Sequence, residues 1–267
     1  GARNGQGEGG REAADAVVAE IRSAGGKAQP SYESVSDEAG AARIVHDAVQ
    51  HFGRLDVLIN NAGILRDKMS FNMSEEDFDI VVNVVLKGSF APSRFAASYW
   101  REQAKASGQP VNGSIVNTAS ESGLYGNLGQ ANYGSAKAGL ASMTITMARE
   151  LERSGVRVNC IAPAAITRLL ATVMPEGSEV PEGVYNPMAP AQIAPLVAWL
   201  SSDLAAGVNG QVFSVNGQRL QLLRGWRPIT EVDAGGEDWT IERVESLRKE
   251  LLADNDTSIP PFMPPLV

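Results

Sequence analysis

Residues 120–137 read Ser-Glu-Ser-Gly-Leu-Tyr-Gly-Asn-Leu-Gly-Gln-Ala-Asn-Tyr-Gly-Ser-Ala-Lys. The stretch holds Ser120, then Tyr133 thirteen residues on, then Lys137 four residues after that. Just before it, Ser114-Ile115-Val116-Asn117-Thr118 is a short, apolar-leaning run that predicts a strand. Just after it, the pattern over 136–151 predicts a helix. On a helix, residues at i and i+4 share one face, so Tyr133 and Lys137 are neighbours. If the strand joins a parallel sheet, Ser120 leaves at its carboxyl end, where open α/β sheets keep their ligands.

That arrangement suits proton transfer coupled to hydride transfer. A free tyrosine titrates near pH ~10, too high for a good acid or base at neutral pH. A nearby ammonium stabilises the phenolate and lowers that value, so the phenol can exchange a proton with a carbinol or carbonyl oxygen. Ser120 would hold the same oxygen by a hydrogen bond. Tyr-x-x-x-Lys also recurs on helices with no such role. The serine at this offset and the glycine-rich turn between favour the chemical reading.

Moving outward, the strand-like run Leu55-Asp56-Val57-Leu58-Ile59 is followed by Asn60-Asn61-Ala62-Gly63. Downstream come Val156-Arg157-Val158-Asn159-Cys160-Ile161-Ala162-Pro163 and Gly210-Gln211-Val212-Phe213-Ser214-Val215-Asn216-Gly217. Together these stretches resemble the short-chain dehydrogenase/reductase family over roughly residues 11–220. The resemblance implies an α/β fold, a Rossmann-like doubly wound parallel sheet, and NAD or NADP as cofactor. It implies Ser120, Tyr133 and Lys137 as catalytic residues. It implies Asn61, Ala62, Gly63, Tyr133, Lys137, Pro163 and Ile166 as cofactor-binding residues, and a homodimer or homotetramer. Within the family, Gly123-Leu124-Tyr125-Gly126-Asn127, Thr172-Val173-Met174-Pro175 and 194–200 are similar to the (3R)-hydroxyacyl-CoA dehydrogenase branch. That branch implies a 3-hydroxyacyl-CoA or 3-oxoacyl-CoA substrate. Another carbonyl, or a 3-oxoacyl group on a carrier protein, is the alternative, and a cofactor-free scaffold is a third reading.

The sequence departs from the family pattern in several places. Gly5-Gln6-Gly7-Glu8-Gly9-Gly10 matches G-x-G-x-x-G, but no strand precedes it, so it is expected to be a loop. A Thr-Gly-x-x-x-Gly-x-Gly phosphate loop is lacking, and with it the family's strands 1 and 2. The expected sheet therefore lacks its first βαβ portion. The family's third strand would fall at 27–32, weakened by Pro30 and without a neighbour. The strand at 56–60 would keep an open edge. From these features the chain by itself is not expected to bind cofactor tightly. Val85 stands where many family members have a relay asparagine, and Asn83 points roughly 200° away on a regular helix.

The dehydrogenase unit is expected over 1–220, with an extension over 221–267 that holds an amphipathic helix at 239–252 and a Pro-rich end. Its apolar stripe is Ile241, Val244, Leu247 and Leu251. The breaker-rich stretch 168–190 reads equally as a surface loop or a lid.

Bulk properties narrow the classes. The chain has 267 residues, 43% of them hydrophobic, enough for one sizeable core. A net charge of −8 and a pI near 4.9 argue against a nucleic-acid partner. No apolar run reaches the ~18 residues of a membrane span. Cys160 stands alone in an apolar strand and is expected to be an inert buried thiol in a reducing, cytoplasmic setting. His46 and His51 are expected at the surface, and no metal is expected.

Overall fold

A computed structural model describes residues 11–165, 186, 188–226, 228–253 and 259. Gly5 to Gly10, Ile166 and most of 168–190 lie outside the described residues, so the expectations for them are not addressed below.

Helix ends follow the chemistry of their flanking residues. Helix α1 (Arg11–Ser23) comes first. Asp37 then starts helix α2 (Glu38–Phe52) by accepting the Gly40 backbone N–H at 2.7 Å, and Gly53, at φ 78, ends it. His46 and His51, both on α2, are exposed. Ser74 caps helix α3 (Glu75–Val82), whose first turn carries Glu75, Glu76 and Asp77 against the positive end of the helix. The pattern predicts one helix onward to about 103. The chain instead widens into a π-helical turn at Asn83–Lys87 before helix α4 (Gly88–Ser107). A π turn inserts residues into the helical repeat, so faces assigned from a 3.6-residue period do not carry across it.

Among the described residues, five strands form one sheet in the order β1 (Val57–Asn60), β2 (Gly113–Thr118), β3 (Val156–Ala164), β4 (Val212–Asn216), β5 (Arg219–Leu223). The first four are parallel and β5 is antiparallel to β4. Strand periodicity sends alternate residues to opposite faces. Ile115 and Val158 pack with Trp100 of α4 and with Met147 and Leu151 of helix α6 (Ala131–Leu151). Val116 and Ile161 pack on the other face with Leu196 and Leu200 of helix α7 (Ala194–Ser201). Trp100 is 1% exposed, and its indole N–H donates to the Leu55 carbonyl at 2.7 Å. Each such fully buried apolar side chain contributes roughly 1.5–3 kcal/mol.

Three expectations need correction. Residues 27–32 form no strand: Pro30 cannot donate to a ladder, and among the described residues no strand lies beyond β1 to pair with. Tyr32 is instead tied to α1, with its hydroxyl donating to Asp15 at 2.5 Å and the Arg11 guanidinium over its ring. Second, a strand follows β4 that the sequence reading did not include. A two-residue loop, Gly217-Gln218, with Gly217 at φ 57, returns the chain as β5. Third, the C-terminal helix is two short ones, α8 (Ile241–Ser246) and α9 (Arg248–Leu252), divided at Leu247.

The chain divides into two compact units at Leu223/Arg224. Among the described residues, no helix is long and apolar enough to cross a membrane.

Candidate active site

Strand β2 ends at Thr118, and two residues later Ser120 begins helix α5 (Glu121–Tyr125), its hydroxyl accepting the Ser122 N–H at 3.2 Å. Buried Glu121 accepts the Ser214 hydroxyl at 3.0 Å, which pins α5 to β4. The helix then lies directly on α6. A Cβ on Gly123 would sit 2.6 Å from the Ala138 nitrogen, and one on Gly134 would sit 3.0 Å from the Ser122 carbonyl oxygen. Only glycines allow this approach, which sets where Ser120 stands relative to Tyr133.

The start of α6 is fastened to the segment after β1. The buried Asn132 amide donates to the Arg66 and Asp77 carbonyls, each at 2.9 Å, and its oxygen accepts the Tyr133 N–H at 2.7 Å. Gln130 donates to Asp67 at 2.8 Å, and the Lys68 N–H donates to the Gly129 carbonyl at 2.9 Å. Behind these contacts runs a buried polar chain. The Asn60 amide donates to Ser93 at 2.7 Å and to Asn117 at 2.8 Å, and Asn117 donates to Thr144 at 2.9 Å. It joins β1, β2, α4 and α6 and holds the strand end from which Asn61, Ala62 and Gly63 emerge exposed.

The three catalytic candidates converge. Ser120 hydrogen-bonds the Tyr133 phenol, and the Lys137 ammonium lies 5.4 Å from the Tyr133 ring centroid. Lys137 is 3% exposed and donates to the Thr118 carbonyl at 2.5 Å.

The expected electrostatics differ, however. Burial pushes Tyr133 up to about 12; the Ser120 hydrogen bond lowers it and the Asp67 carboxylate raises it further. Burial likewise brings Lys137 down to about 8. Desolvation is the largest influence on the phenol, and Lys137 directs its short hydrogen bond at the strand end rather than at Tyr133.

Other candidates fall as follows. Pro163 lies inside β3, paired with Val215, and not in a loop after it. Val85 is fully buried against Ile64, Val81, Ala136 and Leu140, so its side chain serves packing. Cys160 is fully buried, and burial raises its thiol to about 11, as expected of an inert group. Gly134, Asn132 and Glu121 were not singled out from sequence, and Gly123 figured only within the stretch that carries the branch resemblance. The doubled Ser-x-Ser-Gly and Tyr-Gly spacing was the available signal for the two glycines.

The residues present fit the nicotinamide end of a dinucleotide. A buried ammonium has three N–H groups, and Lys137 uses one of them on Thr118, which leaves donors suited to a ribose hydroxyl. The exposed backbone of Asn61, Ala62 and Gly63 stands at the carboxyl end of β1, on the ligand side of a parallel sheet. Fold and site chemistry together define a class: a dehydrogenase or reductase on a Rossmann-like sheet.

Comparison with known proteins sharpens the class. A family model described as enoyl-(acyl carrier protein) reductase matches residues 8–217. A hydroxyacyl-CoA dehydrogenase of Mycobacterium tuberculosis is 41% identical over 243 residues, covering 91% of this chain and 76% of that protein. The peroxisomal multifunctional enzyme type 2 of Mus musculus is 42% identical over 220 residues, covering 82% of this chain and 28% of that protein. A crystal structure of a short chain dehydrogenase from Mycobacterium avium superposes with a TM-score of 0.81 at 43% identity, covering 94% of this chain and 81% of that one. The chain belongs to the short-chain dehydrogenase/reductase family, and it is an oxidoreductase.

Proposed function

We propose that this protein interconverts a 3-hydroxyacyl thioester and its 3-oxo form, probing a secondary alcohol or ketone with Ser120, Tyr133 and Lys137. The observation that carries the reading is the convergence of these three side chains at the end of β2. The name of a relative at 41% identity, a hydroxyacyl-CoA dehydrogenase, supplies the thioester. NAD or NADP would be held by Asn61, Ala62, Gly63, Tyr133, Lys137 and Pro163, with Ile166 added from family resemblance. When bound, the nicotinamide accepts the hydride from the carbinol carbon, or returns it to the ketone carbon.

Ser120 orients the substrate oxygen. Tyr133 exchanges the proton with that oxygen. With Tyr133 raised to about 12 the phenol is a weaker acid than free tyrosine, so donating its proton to a ketone oxygen requires that the value come down. Oxidation likewise requires that the phenol be lowered first, and Lys137 is the cation within reach to do it. The catalytic unit is assigned to 1–220, with 221–267 as an extension, and the working form to a homodimer or homotetramer.

Tyr133→Phe tests the reading. With a 3-oxoacyl thioester and NADH or NADPH, kcat should fall by about 10²–10⁴-fold with the thermal midpoint unchanged. Unaltered turnover would remove Tyr133 from the chemistry.

A further inference from the structure

Thr118 is the last residue of β2, and its two polar ends differ in treatment. The carbonyl accepts the Lys137 ammonium at 2.5 Å. Among the described residues the side-chain hydroxyl has no hydrogen-bond partner, although the residue is only 6% exposed. A stranded buried hydroxyl is unfavourable by roughly 1–3 kcal/mol. Valine has nearly the same shape and would fill the position without that cost. The hydroxyl therefore has no use in this state and calls for a partner in another.

Its position says which partner. Asn117 aims its amide at Thr144 of α6, so Thr118 faces the opposite side of the sheet, the side of Val116. The register sets Asn60 against Asn117 and Thr118 against Ile161. One step on, Asn61 comes level with Thr118 on the β1 side. On the β3 side, Ala162 and Pro163 lie just beyond it. Thr118 thus stands at the middle strand end, between the two groups of residues assigned above to the dinucleotide.

We propose that Thr118 is a further binding residue of this site, its Oγ1 hydrogen-bonding the nicotinamide-ribose end of the dinucleotide. The inference rests on the reading that the site takes a nicotinamide dinucleotide. The oxygen is closed to solvent here, so the contact forms only as the dinucleotide enters.

The test uses Thr118→Val and Thr118→Ser in the protein as encoded. NADH and NADPH are titrated by nicotinamide fluorescence, and the thermal midpoint is measured without dinucleotide. Thr118→Val should weaken binding of the preferred dinucleotide by about fivefold to twentyfold. It should leave the dinucleotide-free midpoint equal or higher. Thr118→Ser, which keeps the hydroxyl, should bind within about threefold of the parent. Thr118→Ala removes the hydroxyl without adding volume and gives the same reading should the valine variant fail to fold. Unchanged affinity in Thr118→Val, with a lowered midpoint, would mean that the hydroxyl serves the fold alone and would overturn the inference. A parent protein that binds neither dinucleotide would overturn the cofactor reading, and this inference with it.

Discussion

Gly123 lies flat against the backbone of Lys137: a Cβ at position 123 would be 2.7 Å from the Lys137 carbonyl carbon. The contact joins the helix that begins at Ser120 to the helix that carries Tyr133. Gly123→Ala must push them apart. A misplacement of about 1 Å at reacting groups costs on the order of 10²-fold in rate. We expect kcat to fall by about that factor. The accompanying loss of stability should be about 1–3 kcal/mol, as for other overpacked sites. Steady-state kinetics beside urea denaturation separates the two effects.

Lys137 makes stability depend on pH in a predictable direction. Its folded value, about 8, lies below its ordinary 10.5. Between these values the unfolded chain holds a proton that the folded chain does not, so stability rises with pH across the window. The rise is up to about 3 kcal/mol. Tyr133 acts the other way above pH 10, since its value is raised to about 12 and stability is lost as pH climbs between the two. The clean window is therefore pH 8–10. Lys137→Met should be more stable than the parent at pH 7, and the difference should shrink towards pH 10. Equal slopes for the two proteins in denaturant melts would show that Lys137 is not held out of its charged state.

Asn117 should carry more stability than its single side chain suggests. It accepts from Asn60 and donates to Thr144, all within the buried chain that ties β1 and β2 to α4 and α6. Asn117→Val leaves both partners short of a hydrogen bond in a fully buried site. A loss of about 2–4 kcal/mol is expected. Calorimetric or urea unfolding of the variant measures it.

Two glycines with nearly equal backbone angles should respond differently to alanine. Gly53 and Gly155 both have φ 78. Around Gly53 a Cβ would meet nothing within 4 Å, whereas at Gly155 it would lie 2.1 Å from the Val111 carbonyl oxygen. Gly53→Ala should cost about 1 kcal/mol, from the left-handed backbone alone. Gly155→Ala should cost at least about 3 kcal/mol, since the loop that leads into β2 must move. Thermal melts of the pair distinguish strain from collision.

Much of this was legible in the residues. Ser114 to Thr118 as a strand, Tyr133 and Lys137 one turn apart, the Ser74 and Asp37 caps and the Gly155 stop all follow from local rules of period and capping. What local rules missed depends on contacts between distant segments. Gly123 is unremarkable until Lys137 is placed on top of it. Burial is the largest influence on both Tyr133 and Lys137, and sequence spacing does not show burial. Strand β5 did leave a local trace: Asn216-Gly217 before an alternating Arg-Leu-Gln-Leu-Leu is a hairpin signal. The π turn at Asn83–Lys87 has no sequence rule behind it, and the angle of roughly 200° between Asn83 and Val85, which assumes a regular helix, does not carry over to it.

Arg157 carries a consequence for how the chain is made. This buried guanidinium in β3 donates to the carbonyls of Leu200, Ser202 and Ala205 at 2.9–3.2 Å. All three acceptors are synthesised more than forty residues later. Until they leave the ribosome, the arginine has no partner in its final place, and a buried charge without one is strongly unfavourable. Strand β3 must therefore wait for α7. The emerging chain cannot close its central sheet strand by strand, and the segment from Leu200 to Ala205 sets the moment at which β3 becomes native.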